Sequence, residues 1–172
     1  MSPRKKQILW ILAVFSLVVV IDQATKALII AYYPEEKILR IGPKPEFFRI
    51  SHQRNPGLVN GLFRESPVKA MVAPILAMGV LAYLSIHLNP RSKLQSTAFG
   101  LIAGGAIGNM IDRVRLGSVT DFLQFHFYFI PFDFPWKYYP AFNVADSCIC
   151  TGVVALLITW YFIEEQHVPD AA

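Results

Sequence analysis

Long apolar runs alternate with short polar interruptions along this chain. Gln7 to Ile21, Ala70 to Asn89, Leu94 to Ile111 and Ser147 to Ile163 contain no Asp, Glu, Lys or Arg. A helix needs about 20 mainly apolar residues to cross a bilayer. The pattern therefore predicts four spans, at about 8–30, 68–89, 94–111 and 145–163. The first reaches that length only by continuing through Asp22 and Lys26. The fold class expected is an all-α integral membrane protein, a single membrane-embedded domain over residues 1–172, with external segments near 32–66 and 112–141.

The first external segment reads as a small β-rich element. Lys37 to Ile41 and Glu46 to Ser51 are β-favourable runs, separated by the turn composition Gly42-Pro43-Lys44-Pro45. The stretch Phe125 to Phe142 is dense in Phe, Tyr and Trp. Tyr and Trp favour the headgroup level, so this stretch is expected along the interface, either as an anchor or in contact with substrate. Pro74 falls inside the second run, where neighbouring helices can absorb the lost backbone bond.

Composition agrees with the pattern. Of 172 residues, 54% are hydrophobic and only 16% charged, too apolar for an ordinary soluble domain. The net charge of +4 does not point to nucleic acid, because the basic residues are spread over loops and termini without an aromatic-interleaved face. Arg4, Lys5 and Lys6 could open a signal peptide, but no small-residue cleavage site follows, and an uncleaved first span is expected. By the positive-inside rule these residues, with Arg91 and Lys93, place both termini in the cytoplasm. Cys148 and Cys150 point about 200° apart on a helix, which disfavours a disulfide. The four His are scattered without metal-ligand spacing, so neither a metal nor another cofactor is expected.

Polar residues from three spans converge in depth. At 1.5 Å rise per residue, Asp22 lies about 21 Å beyond Ile8, and Asn109 about 22 Å beyond Leu94. Both reach the outer part of a hydrocarbon core about 30 Å thick. Asp146 opens the fourth span from that side, and Asp121 lies in the preceding connection. Each residue also has a structural reading. Asp22 and Lys26 are spaced i, i+4 for an ion pair. Arg113 could reach phosphates or hold a carboxylate, and Asp112 reads as a solvated or capping residue. Asn143 could cap the fourth helix, with Asp146 stabilised by its dipole. Carboxylates are costly beside lipid, however, and two held close must share a proton. One can then take a proton from water while the other protonates the carbonyl oxygen or leaving amine. Ser147 and the cysteines have no His or Lys base nearby in sequence. Asp121 and Asp146 are therefore read as an acid/base pair that hydrolyses a peptide bond at the membrane surface.

At these residues the chain closely resembles the type II signal peptidases, which process bacterial prolipoproteins. Asp22-Gln23-x-x-Lys26 is similar to that family's DQxxK pattern, and Asn55-x-Gly57 to the start of its external loop motif. Gly104-Gly105-x-x-Gly108-Asn109-x-x-Asp112-Arg113 resembles the GGxxGNxxDR block. Val119 to Phe122 and Phe142 to Asp146 resemble the two segments carrying the family's catalytic aspartates. The resemblance implies a membrane aspartyl endopeptidase that cuts diacylglyceryl-modified prolipoproteins before the lipidated cysteine. Asp121 and Asp146 would be catalytic. Asn109, Arg113 and Asn143 would orient the pair or bind substrate, and Asp22, Lys26, Asn55 and Gly57 would support the site. It implies an inner-membrane location with the site facing the periplasm, membrane lipid and a lipidated substrate as partners, and sensitivity to cyclic-peptide antibiotics. A monomer is the expected unit.

The chain departs from the family after Gly57. Leu58-Val59-Asn60-Gly61 stands where two alanines, an aromatic residue and often glycine are usual. This change is the feature that favours an alternative, a non-catalytic or altered-specificity paralogue that binds prolipoprotein or inhibitor. A proton-coupled transporter is disfavoured by the lack of an internal repeat.

Overall fold

The computed structural model describes residues 1–35, 38–41, 44–57 and 67–164. Its helices are α1 (Pro3–Tyr32), α2 (Pro67–Leu84), α3 (Lys93–Leu116) and α4 (Val144–Glu164). A three-stranded sheet joins them, from β1 (Ile38–Ile41), β2 (Phe48–Asn55) and β3 (Val119–Phe125). The chain is thus helix-rich with a small sheet. α1 and residues Val144–Tyr161 of α4 are long and apolar enough to cross a bilayer.

Polarity is inverted relative to a water-soluble protein. Leu12, Leu17, Val20, Leu76, Val80, Val154 and Leu157 are exposed on the helices, whereas Gln7, Asp22, Lys26, Asn109 and Asp112 are buried between them. Exposed apolar surface on this scale suits lipid as solvent.

α3 is the central helix and packs against both α1 and α4, with α2 on its flank. Small residues allow that approach. A Cβ added to Gly104 would lie 2.8 Å from Val18 Cβ and 2.9 Å from the Phe15 carbonyl oxygen. One added to Gly105 would lie 2.5 Å from the Ala145 carbonyl oxygen on α4. Adjacent glycines therefore seat two different helices, the close packing that small residues permit in membranes. α2 runs through Pro74 and continues into a 3₁₀ turn at Ser85–His87. Ser92 caps α3, accepting from the Gln95 N–H, and Gly117 ends it with φ 69°. In that left-handed region glycine carries no Cβ penalty.

The sheet is antiparallel in the order β1-β2-β3. The two strands expected near 37–41 and 46–51 are present, shifted slightly, but β3 was not expected as a strand. Its register is interrupted between Ile50 and Gln53, where β2 carries one more residue than β3 before Gln53 pairs with Asp121. Such a bulge re-aims the local side chains, and this one lies next to Asp121. The helix α3 runs on to Leu116, past the apolar run that ends near 111, which places Asp112 and Arg113 on the helix. Asp112 is also not solvated; it is 2% exposed.

The aromatic stretch turns back onto the sheet. Tyr138 stacks on His126 at 4.2 Å between ring centroids, and Arg49 lies 4.4 Å from the Tyr138 centroid. Arg49 is itself paired with Glu46 at 2.9 Å. Phe129, Phe132 and Trp136 remain exposed.

The α1–α3 seam gives a direct expectation. Gly104→Val should lower stability by about 1–3 kcal/mol through overpacking, read by thermal unfolding in detergent. Gly79→Val in α2, where nothing lies within 4 Å of an added Cβ, should change it by less than about 0.5 kcal/mol. Equal effects at the two positions would contradict close packing at Gly104.

Candidate active site

Four elements deliver the carboxylates and amides of the site to one place, with Asn55 coming from β2. β3 carries Asp121, the start of α4 carries Asn143 and Asp146, and α3 carries Asn109. Asn143 accepts at Oδ1 from the Asp146 N–H at 2.9 Å, while the Asn143 N–H donates to Asp146 Oδ2 at 3.3 Å. This reciprocal arrangement is a capping box with Asp in place of the usual Glu. The cap expected at Asn143 is therefore present, and it does more than end a helix.

The Asn143 side-chain amide donates to Asp121 Oδ1 at 2.8 Å. One side chain thus joins both aspartates, through its amide nitrogen to Asp121 and through its carbonyl oxygen to Asp146. Asn109 Nδ2 donates to Asp146 Oδ1 at 2.7 Å, and its Oδ1 accepts from Lys26 Nζ at 2.8 Å. Asn55 Nδ2 donates to Asp121 Oδ2 at 3.0 Å, and its Oδ1 accepts from the Gly57 N–H at 3.1 Å. In all three asparagines a carboxylate accepts at the amide nitrogen and a donor sits at the oxygen. That pattern determines which way each amide points.

Beneath this layer lies a buried ion cluster. Lys26 Nζ is 2.9 Å from Asp22 and 3.4 Å from Asp112. The Asp22–Lys26 pair expected from i, i+4 spacing is present, but Asp112 joins it from another helix. Asp22 Oδ1 accepts from the Ala145 N–H at 3.0 Å, tying α1 to the start of α4. Asp112 Oδ2 accepts from the Thr120 N–H at 2.9 Å, fixing the residue before Asp121. A lone charge buried this deeply would be strongly destabilising, and the pairing offsets that cost.

Gln23, quoted only as part of a motif, belongs to this cluster. Its amide nitrogen lies 3.0 Å from the Gly108 carbonyl oxygen and 3.2 Å from Asp112 Oδ1. The role of Asp112 had a usable signal in sequence, because i, i+3 spacing from Asn109 puts both on one face of α3. Gln23 had none, since its contacts with Gly108 and Asp112 come from another helix, although it also donates to the neighbouring Asp22 at 3.1 Å.

Arg113 donates to the Gly57 carbonyl oxygen at 2.9 Å and more weakly to the Asn109 carbonyl oxygen at 3.4 Å. Among the described residues its buried Nε has no hydrogen-bond partner. Arg113 therefore holds the loop after β2 against α3 rather than reaching toward headgroups. The segment Leu58 to Asn60, where the chain departs from the family pattern, lies outside the described residues.

Asp121 is 3% exposed. Burial, followed by the negative charge of Asp146, raises its pKa to about 7, against the opposing pull of Asn55, Asn143 and Lys26. Asp121 can therefore exchange a proton near neutral pH. Asp146 is half-buried, more open than Asp121. Among the described residues, no group of three or more His, Cys, Asp or Glu could hold a metal ion.

Similarity to other proteins bears on the same arrangement. A family model described as signal peptidase (SPase) II matches residues 14–162. A lipoprotein signal peptidase of Syntrophotalea carbinolica is 38% identical over 151 residues, covering 86% of this chain and 88% of the relative. That of Beijerinckia indica subsp. indica is 38% identical over 173 residues, covering 98% and 95%. A solved bacterial membrane enzyme superposes with a TM-score of 0.78 at 26% identity, covering 94% of this chain and 93% of its own. A second does so with a TM-score of 0.72 at 29% identity. The family match spans α1 to α4 and takes in every residue of the asparagine-linked carboxylates, and with it the chain belongs to the signal peptidase II family.

Proposed function

We propose that this membrane protease removes the signal peptide from diacylglyceryl-modified prolipoproteins, cutting before the lipidated cysteine, with Asp121 and Asp146 as its catalytic pair. Family membership supports the protease and its prolipoprotein substrate. The observation that carries the catalytic assignment is Asn143, whose side-chain amide donates to the Asp121 carboxylate and whose backbone N–H donates to the Asp146 carboxylate.

The proposed steps follow from the geometry. Asp121, the more buried of the two, enters the reaction protonated. Asp146 lies at the start of α4, where the helix dipole favours an anion, and takes a proton from the attacking water. Asp121 gives its proton to the carbonyl oxygen as the tetrahedral carbon forms. Collapse breaks the C–N bond and re-forms the C=O, the proton gathered by Asp146 passes to the leaving amine, and a hydroxyl proton of the intermediate returns to Asp121. Asn109, Asn143 and Asn55 hold the carboxylates in place through these changes. The Asp22–Lys26–Asp112 cluster is proposed as support, and Arg113 with Gly57 as the loop contact beside substrate.

The full reading is one peptidase domain over residues 1–172, with four spans formed by α1 to α4. Arg4, Lys5, Lys6, Arg91 and Lys93 support cytoplasmic ends and a site on the outer side of the bacterial inner membrane. The sheet and aromatic stretch would then rest at the outer headgroup level, where a lipid-anchored substrate presents its scissile bond.

Asp121→Asn and Asp146→Asn should each lower kcat by about 10²–10⁴-fold, measured by cleavage of a purified diacylated prolipoprotein, with the fold preserved by circular dichroism. Near-normal cleavage by either variant would refute the pair. Because protonated Asp121 is the active form, kcat/KM should fall as pH rises through about 7. A rate still rising at pH 9 would exclude this assignment. Asn143→Ala removes both the cap and the link. It should cost about 0.5–2 kcal/mol of stability and reduce kcat more strongly than thermal unfolding alone explains.

A further inference from the structure

At the opposite end of the helices from the carboxylates, the start of α1 and the turn into α3 enclose a cavity of about 360 Å³. Lys6 and Trp10 line it from α1, and Arg91, Ser92, Lys93 and Ser96 from the turn and first turn of α3. By helical rise it lies about 24 Å from Asn109 along α3, so it is separate from the active site.

The charges around the cavity are not used internally. Arg4 is committed to the protein, donating to the Ser85 and Leu88 carbonyl oxygens and to Gln7. Lys6, Arg91 and Lys93 are exposed, and among the described residues none of them forms an ion pair. No Asp or Glu occurs between residues 1 and 21 or between 67 and 111. Lys93 Nζ sits 5.5 Å from the Trp10 ring centroid, and Trp10 Nε1 donates to Thr97 Oγ1 at 2.9 Å. The tryptophan and a cation are therefore held together at the cavity, an apolar wall beside a positive rim. The first turn of α3 forms part of the wall, and its dipole adds to the positive potential.

We propose that this cavity binds the phosphate of an anionic phospholipid headgroup from the cytoplasmic leaflet. Three cations, Lys6 on α1, Arg91 in the turn and Lys93 at the start of α3, contact the phosphate, and Trp10 lies beside the glycerol and upper acyl region, where indole rings favour the interface. Basic pockets between membrane helices recognise anionic headgroups through this combination. The bound lipid joins the start of α1 to the start of α3 and so stabilises the seam that also positions Asp22 against Gly108. The proposal rests on the membrane orientation above, which puts this end at the inner leaflet surface.

The test uses the full chain in a zwitterionic detergent, with apparent affinity read from the rise in thermal unfolding temperature. The probes are phosphatidylglycerol, phosphatidylcholine and inorganic phosphate. Phosphatidylglycerol should raise the unfolding temperature saturably, and the other two should not. Lys6→Gln and Arg91→Gln should each weaken phosphatidylglycerol about fivefold. Lys5→Gln removes the same charge one residue away but outside the cavity lining, and should have less than about a twofold effect. Equal weakening by Lys5→Gln would mean diffuse attraction and overturn the site. Saturation by inorganic phosphate would overturn the lipid as its source, and no response to phosphatidylglycerol would overturn the proposal entirely. Arg91→Gln lies on a separate turn and keeps the test decisive if Lys6→Gln folds poorly. Cleavage of a diacylated prolipoprotein in phosphatidylcholine vesicles separates this proposal from the protease reading. Wild-type protein that binds phosphatidylglycerol without cleaving would refute the catalytic assignment and leave the cavity standing.

Discussion

The Lys26 ammonium is 1% exposed, with Asp22 and Asp112 on two sides and the Asn109 oxygen on a third. Removing an ammonium ion from water costs several kcal/mol unless opposite charge and hydrogen bonds replace the solvent. Those replacements come from α1 and α3 together, so the helices are tied where Gly108 lets them meet. An added Cβ there would lie 2.5 Å from Asp22 Oδ2. The absence of a side chain at Gly108 is thus part of the electrostatics as much as of the packing.

From that buried charge the order propagates outward through directional bonds. Asp22 holds the Ala145 N–H and so the start of α4, while Asp112 holds the Thr120 N–H and so the start of β3. The two catalytic candidates, Asp146 and Asp121, follow immediately on those anchored residues. Asn109 carries the influence directly, with Lys26 on its oxygen and Asp146 on its nitrogen. A low dielectric strengthens each of these contacts and raises the cost of any left unmade, which favours one arrangement over neighbouring ones.

The same economy of polar groups explains how the two ends of the molecule differ. At the sheet end, cations are consumed by buried carboxylates, as Arg49 is by Glu46. At the other end no Asp or Glu occurs in residues 1–21 or 67–111, the stretches that bear Lys6, Arg91 and Lys93. Charge at one end serves a fixed site, and charge at the other is exposed.

The apolar runs, the Asp22–Lys26 pair and the cap at Asn143 were all legible along the chain. Each depends on period, rise or side-chain type, which are local properties. The resemblance to a known family pointed to the same two residues, Asp121 and Asp146, already read as a pair. The strand β3, the burial of Asp112, the part played by Gln23 and the turning of Arg113 toward Gly57 were not legible. Val119 to Phe125 becomes a strand because β2 is there to receive its hydrogen bonds, with a bulge that a one-dimensional pattern does not record. Asp112 reads as solvated until Lys26 arrives from a helix more than eighty residues earlier in the chain. By itself, the sequence determined which groups were present and how they were spaced along each helix. Only the tertiary structure decided which of them met, because the partners of a buried charge are chosen by packing across elements.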